Sequence, residues 1–397
     1  MKKLLILFVM AGMILTSCNK NKWAEVDYSD DIVGTWTCVE AGYAEALVIN
    51  ADGTIVSTGV EGDHYWEDVN GTYEMVNNKM TMKFDDNENF EGRFEMIPGE
   101  TLVLVEPDGE RSTYRYCAED LSEEVIGMWV SNGANVEGFD EMAIQTYNED
   151  GTAIFTGFEP NSNGNLLNAE STYKLVGDLM ILIISDGKYV ASRLTYLTKG
   201  TELGDILTNY NSQLNVTTSW LRIKQNLELS GNEYDYANTY VTNVKGLEQE
   251  IDIAGYTFKF SEMDGVMLHN MLQAVVFGIN FPDANTINYT CHYNEFDMNT
   301  NAPIAVEGNK MTVKMSENNP AFRNVDLYAF QDVDNCQMHI YMPTHSFVNF
   351  FSNMQIAFMA ELGQLDINDA AAVEAIFNNM DNVVESINLS LIFKTKK

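Results

Sequence analysis

The chain has 397 residues, 58 of them acidic and 23 basic, for a net charge of −35, and 45% are hydrophobic, including 20 Phe, 19 Tyr and 5 Trp. That apolar content excludes a disordered chain. The negative charge repels nucleic acid and anionic membrane surfaces, so neither is expected as a partner.

At the start, Met1-Lys2-Lys3 leads into an apolar run from Leu4 to Leu15 and then Leu15-Thr16-Ser17-Cys18. The run is about twelve residues, short of the roughly 20 that span a bilayer as a helix. A basic start, an apolar core and small residues before a cysteine resemble a bacterial lipoprotein signal peptide. The resemblance implies acylation of the Cys18 thiol, with palmitate among its chains, and cleavage just before it. Asn19 in place of Asp implies, by the same resemblance, an outer-membrane destination. Several acyl chains on one cysteine would anchor the protein to a membrane stably. Loss of residues 1–17 removes Lys2 and Lys3 and no acid, leaving a net −37. Residues 19–30 are polar, lack apolar periodicity and read as a tether.

Two copies of one theme follow. Val33-Gly34-Thr35-Trp36 returns as Ile126-Gly127-Met128-Trp129, 93 residues on. The turn Asn50-Ala51-Asp52-Gly53-Thr54 returns as Asn148-Glu149-Asp150-Gly151-Thr152, and Gly71-Thr72-Tyr73 returns as Ser171-Thr172-Tyr173, at offsets of 98 and 100. A weaker third echo sets Asn78-Lys79-Met80-Thr81 against Asn309-Lys310-Met311-Thr312. Ala46–Ile49, an Asp-Gly turn and Thr54–Val56 form a hairpin signal, and Lys79–Phe84 alternates polar with apolar. Short strands at about 8–12-residue spacing predict a sandwich or a small up-and-down barrel in each copy.

A Gly-x-Trp in the first strand with an arginine in the last resembles the lipocalin signature. The matching residues are Gly34, Trp36 and Arg115 in one copy and Gly127, Trp129 and Arg222 in the other. The resemblance covers residues 31–224 and implies a barrel closed with the guanidinium over the indole face, a contact worth about 0.5–2 kcal/mol. These are structural residues, and no ligand residue carries over. First and last strands lie side by side in such a barrel, which pairs Cys38 with Cys117 as a disulfide. Cys291 and Cys336 then pair by elimination.

The third region contains no tryptophan, so the hallmark is lost there. Strands are expected at 257–260, 286–291, 326–330, 337–342 and 387–393, and helices at 263–277, 346–362 and 370–386, the last capped by Asn368 or Asp369. The segment 346–362 is apolar almost all round, which predicts a buried helix. Phe347, Phe350, Phe351, Met354 and Phe358 on its stripe are the candidate walls of an apolar pocket.

Other chemistry is hard to assemble. The five histidines keep no recognised metal spacing, Asp366-Ile367-Asn368-Asp369 lacks the EF-hand glycine, and GxSxG, P-loop and GxGxxG motifs are missing from the sequence. The reading is therefore non-enzymatic, with neither metal nor cofactor. The fold class is mainly β: two small lipocalin-like barrels or sandwiches at 31–120 and 121–225, then a larger α+β domain at 226–397. The expected function is a lipid-anchored outer-membrane binding protein holding a small apolar ligand, chiefly in the third region. The alternative is a surface module that binds glycan or protein within an envelope complex.

Overall fold

The computed structural model describes residues 28–86, 89–132, 142–158, 166–184, 188–201, 204–211, 216–246, 250–253, 256–262, 265–274, 277–293 and 296–396. Cys18 and the signal segment lie outside the described residues. Among those residues no helix is long and apolar enough to cross a membrane.

The first eight strands run up and down and close into a barrel, with the first, Gly34–Glu40, paired to the last, Arg111–Cys117. Period-two patterning sets the inside: Met80 and Met82 of Lys79–Phe84 are buried, while Lys79 and Lys83 face out. Trp36, Ile49, Ile55, Phe94 and Leu102 fill the interior with them.

The second barrel repeats the plan from Gly127–Asn132 to Val216–Ile223. Its details repeat as well. Trp36 Nε1 donates to the Ile32 carbonyl and Trp129 Nε1 to the Val125 carbonyl, both at 2.7 Å. Asp52 accepts the Thr54 hydroxyl as Asp150 accepts that of Thr152, each at 2.6 Å. Gly53 and Gly151 take φ of 87° and 79° to complete these turns. Tyr73 and Tyr173 then brace the turns from the fourth strand, donating to the carbonyls of Asn50 and Asn148 at 3.0 and 2.9 Å.

The fold is mainly β throughout, and the larger C-terminal region also closes an eight-stranded barrel, from Glu233–Gly246 to Val384–Thr395. The weak third echo falls on its fifth strand, Lys310–Val313, the place that Lys79–Phe84 takes in the first barrel. Even a cross-strand bond matches: Phe94 N–H to the Asn78 carbonyl at 3.0 Å, Ala329 N–H to that of Asn309 at 2.8 Å. Helices interrupt the strand order rather than forming a layer of their own. Gly265–Ala274 lies between the first and second strands, and Thr344–Glu361 and Ala370–Val383 lie between the seventh and eighth. Asp369 is the cap of the last helix, accepting the N–H groups of Ala371 and Ala372 at 3.1 Å.

The helix Thr344–Glu361 is not buried all round, contrary to its composition. It buries Phe347, Val348, Asn349, Ser352, Asn353 and Ile356, while Phe358 and Leu362 are 50% and 54% exposed. The polar interruptions are its anchors. Asn349 Nδ2 donates to the Asn324 carbonyl at 3.0 Å, and Asn353 binds both the N–H and the carbonyl of Arg323. Those bonds turn one edge of the aromatic stripe outward.

The chain forms two compact units. One holds the first barrel with Leu175–Ile181 and the strand residues up to Arg193; the other holds the rest. Within the first unit Asp178 accepts the Thr37 hydroxyl at 2.5 Å and pairs with Arg193 at 3.6 Å. Within the second, Ile223 bridges to Asp332, and Lys224 N–H donates to the Gln331 carbonyl at 2.8 Å. Val130, Ile144, Leu221, Ile223, Phe330 and Tyr341 form one apolar cluster there, so the second and third barrels share a core.

Candidate functional site

The barrel seams test the Gly-x-Trp signature. In the second barrel Arg222 lies directly across from Trp129, its guanidinium carbon 5.4 Å from the ring centre, and it donates to the Ile126 carbonyl at 2.6 Å. In the first barrel Tyr116 takes that place, across from Trp36 and edge-on to it at 5.2 Å and 67°. Arg115 pairs with Thr37 on the outer face and is exposed. The expected Arg115–Trp36 stack is therefore corrected, because a shift of one residue along a strand moves a side chain to the other face. Gly34 and Gly127 both need positive φ, 139° and 129°. A Cβ on Gly34 would also meet the Tyr116 ring at 2.6 Å.

The same parity corrects the cysteines. Cys38 and Cys117 are free thiols. Cys38 points into the barrel with Trp36, whereas Cys117 lies across from Thr35 and reaches the space a Gly177 Cβ would enter. Burial first, then the carboxylates of Glu40 and Glu45, push the Cys38 thiol up to about 12, so it stays protonated. Cys291 is on the third strand of its barrel, opposite Met298, and Cys336 precedes the seventh, which is not a neighbouring strand. The side chain of Cys291 lies outside the described residues.

The apolar pocket expected in the third region is a small void inside that barrel. Its volume is about 30 Å³, and its walls include Ile279, Tyr289, Leu327, Met342, Leu391 and Phe350. Of the five stripe residues only Phe350 borders it; Phe347 joins the core, and Phe351, Met354 and Phe358 lie elsewhere on the helix. A void of this size has room for about one or two water-sized spheres, whereas pockets that hold drug-sized ligands measure roughly 300–1,000 Å³.

Among the described residues the histidines do not converge. His269 Nδ1 bonds the Tyr236 hydroxyl at 2.8 Å, His339 Nε2 bonds Gln337 at 3.2 Å, and His345 Nε2 bonds Asn349 at 3.1 Å. Burial lowers His339 to about 4, so its ring is neutral. Among the described residues the cluster with metal-ligand spacing is Glu106, Asp108 and Glu110, all exposed on a hairpin.

A second constellation stands at the end of the first barrel that carries the 41–42 and 62–63 turns. Glu45, 8% exposed, points inward opposite Cys38. It accepts hydrogen bonds from Tyr43 at 2.6 Å, from Ser57 at 2.5 Å and from Tyr114. Trp66 donates to Ser57 at 2.7 Å, and its ring lies 6.4 Å from Tyr43 and 5.8 Å from His64. Burial first, then the neighbouring Glu45 charge, holds the Tyr43 and Tyr114 hydroxyls far above the usual phenol range, so both remain donors. No sequence motif singles out Glu45. Its parity with Leu47 and Ile49 in Tyr43–Ile49 was the available signal, since residues two apart share a face.

No protein-family model matches the chain, and no curated protein matches it. Solved structures that resemble it include transferrin binding protein B from Neisseria meningitidis serogroup B, at 10% identity and a TM-score of 0.21, over 90% of this chain and 66% of that one. A double mutant of transferrin binding protein B from Haemophilus parasuis Hp5 gives 10% identity and a TM-score of 0.23, over 89% of this chain and 66% of that one. The chain thus spans 66% of the length of either solved chain.

Proposed function

We propose that the chain is a lipid-anchored, non-catalytic accessory protein of the bacterial cell envelope, tethered through Cys18, that binds a macromolecular partner with the outside of its barrels. The packing of the interiors carries this reading. The first barrel is filled by its own side chains, and the void in the third is about 30 Å³. With the interior occupied, recognition falls to the outer faces and the loops. The signal layout before Cys18 supports the anchor.

Photo-crosslinking residues placed at exposed Val76, Ile97 and Val266 of the full chain in intact cells test the reading. A discrete crosslinked partner from at least one position is expected; the absence of any partner from a wider exposed set sinks it. For the anchor, Cys18→Ser should release the protein from membranes or leave it uncleaved. A mature Cys18→Ser protein that still fractionates with the outer membrane would contradict the anchor.

A second reading, a small apolar ligand inside the third barrel, is favoured by the wholly hydrophobic lining of the void. It requires Phe350 to swing out and Met315 and Met342 to repack.

A further inference from the structure

The outer face of the third barrel carries a row of carboxamides across its second, third and fourth strands, Gly278–Asp283, Thr286–Tyr293 and Phe296–Glu307. Ile279, Ile287, Tyr289 and Ala302 belong to the core, so the residues that alternate with them face outward. The register sets Asn280 across from Asn288, and Asn288 across from Asn301. Asn280 Nδ2 donates to Asn288 Oδ1 at 2.9 Å. Asn288 Nδ2 in turn donates to Asn301 Oδ1 at 2.9 Å and to Asn299 Oδ1. Asn288 is 6% exposed at the centre of the row, whereas Asn299 and Asn301 are exposed.

The barrel plan does not require this row. Counted from the corresponding hairpins, Asn280, Asn288 and Asn301 match Val48, Val56 and Asn70 in the first barrel. In the second they match Thr146, Ile154 and Glu170. The first two places hold β-branched residues in both of those barrels, as strand packing favours, and asparagine is disfavoured on strands. Places where local preference gives way together are where function is expected.

We propose that this face binds a neutral polysaccharide. A carboxamide sets an acceptor oxygen beside two donor hydrogens, and the neighbouring hydroxyls of a sugar offer both kinds of group in return. The bonds within the row hold the amide planes before a partner arrives, which lowers the ordering cost of binding. Charge and polarity narrow the class further. The net charge of −35 repels anionic polymers. The four carboxamides are neutral and offer a cation no counter-charge. An apolar partner would take water from Asn299 and Asn301 without replacing its hydrogen bonds. A neutral polyhydroxylated chain meets none of these penalties. The inference rests on the reading that recognition uses the outside of the barrels, and it has its own test.

The test is affinity electrophoresis of the full mature chain in native gels that contain dextran, mannan, xyloglucan or the anionic polygalacturonate. Retardation by at least one of the three neutral polymers is expected, with none by polygalacturonate. Asn299→Ala with Asn301→Ala changes only exposed side chains and should weaken the apparent affinity about tenfold, the loss expected for two neutral hydrogen bonds. Asn280→Val with Asn288→Val installs the residues of the first barrel and should weaken it as much, which keeps the test decisive if the first double variant does not fold. The inference is overturned by an absence of retardation in all three neutral gels, by equal retardation in polygalacturonate, or by unchanged retardation of either folded double variant. A protein partner crosslinked in cells, with no retardation in any gel, would remove this inference and leave the reading of the outer faces in place.

Discussion

The first two barrels share a turn, a buried tryptophan and a closing pair of strands, yet they complete those features differently. At the seam, Trp129 is covered by Arg222 and Trp36 by Tyr116. At the far end, one interior holds Glu45, Ser57 and Tyr114, and the other holds Ala143, Phe155 and Trp220 at the matching places. The shared parts are those that backbone geometry demands. The divergent parts only have to fill space, so they are free to take on other chemistry.

The deepest shared element should give the largest effect. Trp36→Ala and Trp129→Ala each remove a fully buried indole and its hydrogen bond to a backbone carbonyl. Each should lower stability by about 3–5 kcal/mol in denaturant unfolding. A much smaller loss in one barrel would break the equivalence of the two.

Acid should then separate the two compact units. The His339 ring is buried and neutral, with its value lowered from 6.5 to about 4 by burial. The unfolded chain takes up that proton below about 6.5 and the folded chain only near 4. The contribution is therefore present above 6.5 and is lost as the pH falls toward 4. Its size is up to about 3 kcal/mol, and it acts on the second unit. Thermal melts from pH 7 to 4 should show that slope in the wild type, and His339→Gln should flatten it. An unchanged slope in the variant would sink this assignment.

Gly34→Ala should cost more than Gly127→Ala. Both strain a positive φ, but a new Cβ lies 2.6 Å from Tyr116 in the first case and 3.5 Å from Arg222 in the second. An excess of about 1–3 kcal/mol is expected for Gly34→Ala, the usual range for overpacking. Tyr116→Ala in the same background should relieve it.

The smallest effect sharpens the contrast most. Arg222→Ala should lose about 0.5–2 kcal/mol with the Trp129 contact, and Arg115→Ala should lose almost nothing. Equal losses in chemical denaturation would restore the stack that the structure denies to Arg115.

Where backbone chemistry writes the sequence, the fold was legible. The Asn-x-Asp-Gly-Thr turns, the Met80–Met82 alternation and the Gly-x-Trp glycines each point to one conformation. Parity is harder: the lipocalin resemblance implies Arg115 over Trp36 and Cys117 bonded to Cys38, and a shift of a single position separates both pairs. The third barrel was hidden because the inserts at 247–277 and 343–383 separate strands that are neighbours in space. The segment 346–362 reads as apolar almost all round, yet the carboxamides of Asn349 and Asn353 face inward and fix its orientation. Glu45 looks like one more surface acid among 58 until the register places it inside.

The proposed account rests, among the described residues, on a first barrel filled by its own side chains and a void of about 30 Å³ in the third, with recognition on the outside. Its most direct test is mass spectrometry of organic extracts from the full-length protein purified out of native envelopes. No apolar small molecule near one equivalent per chain is predicted beyond whatever acyl chains the proposed anchor at Cys18 carries. A stoichiometric apolar ligand, lost on Phe350→Trp, would contradict it and place the function inside the third barrel.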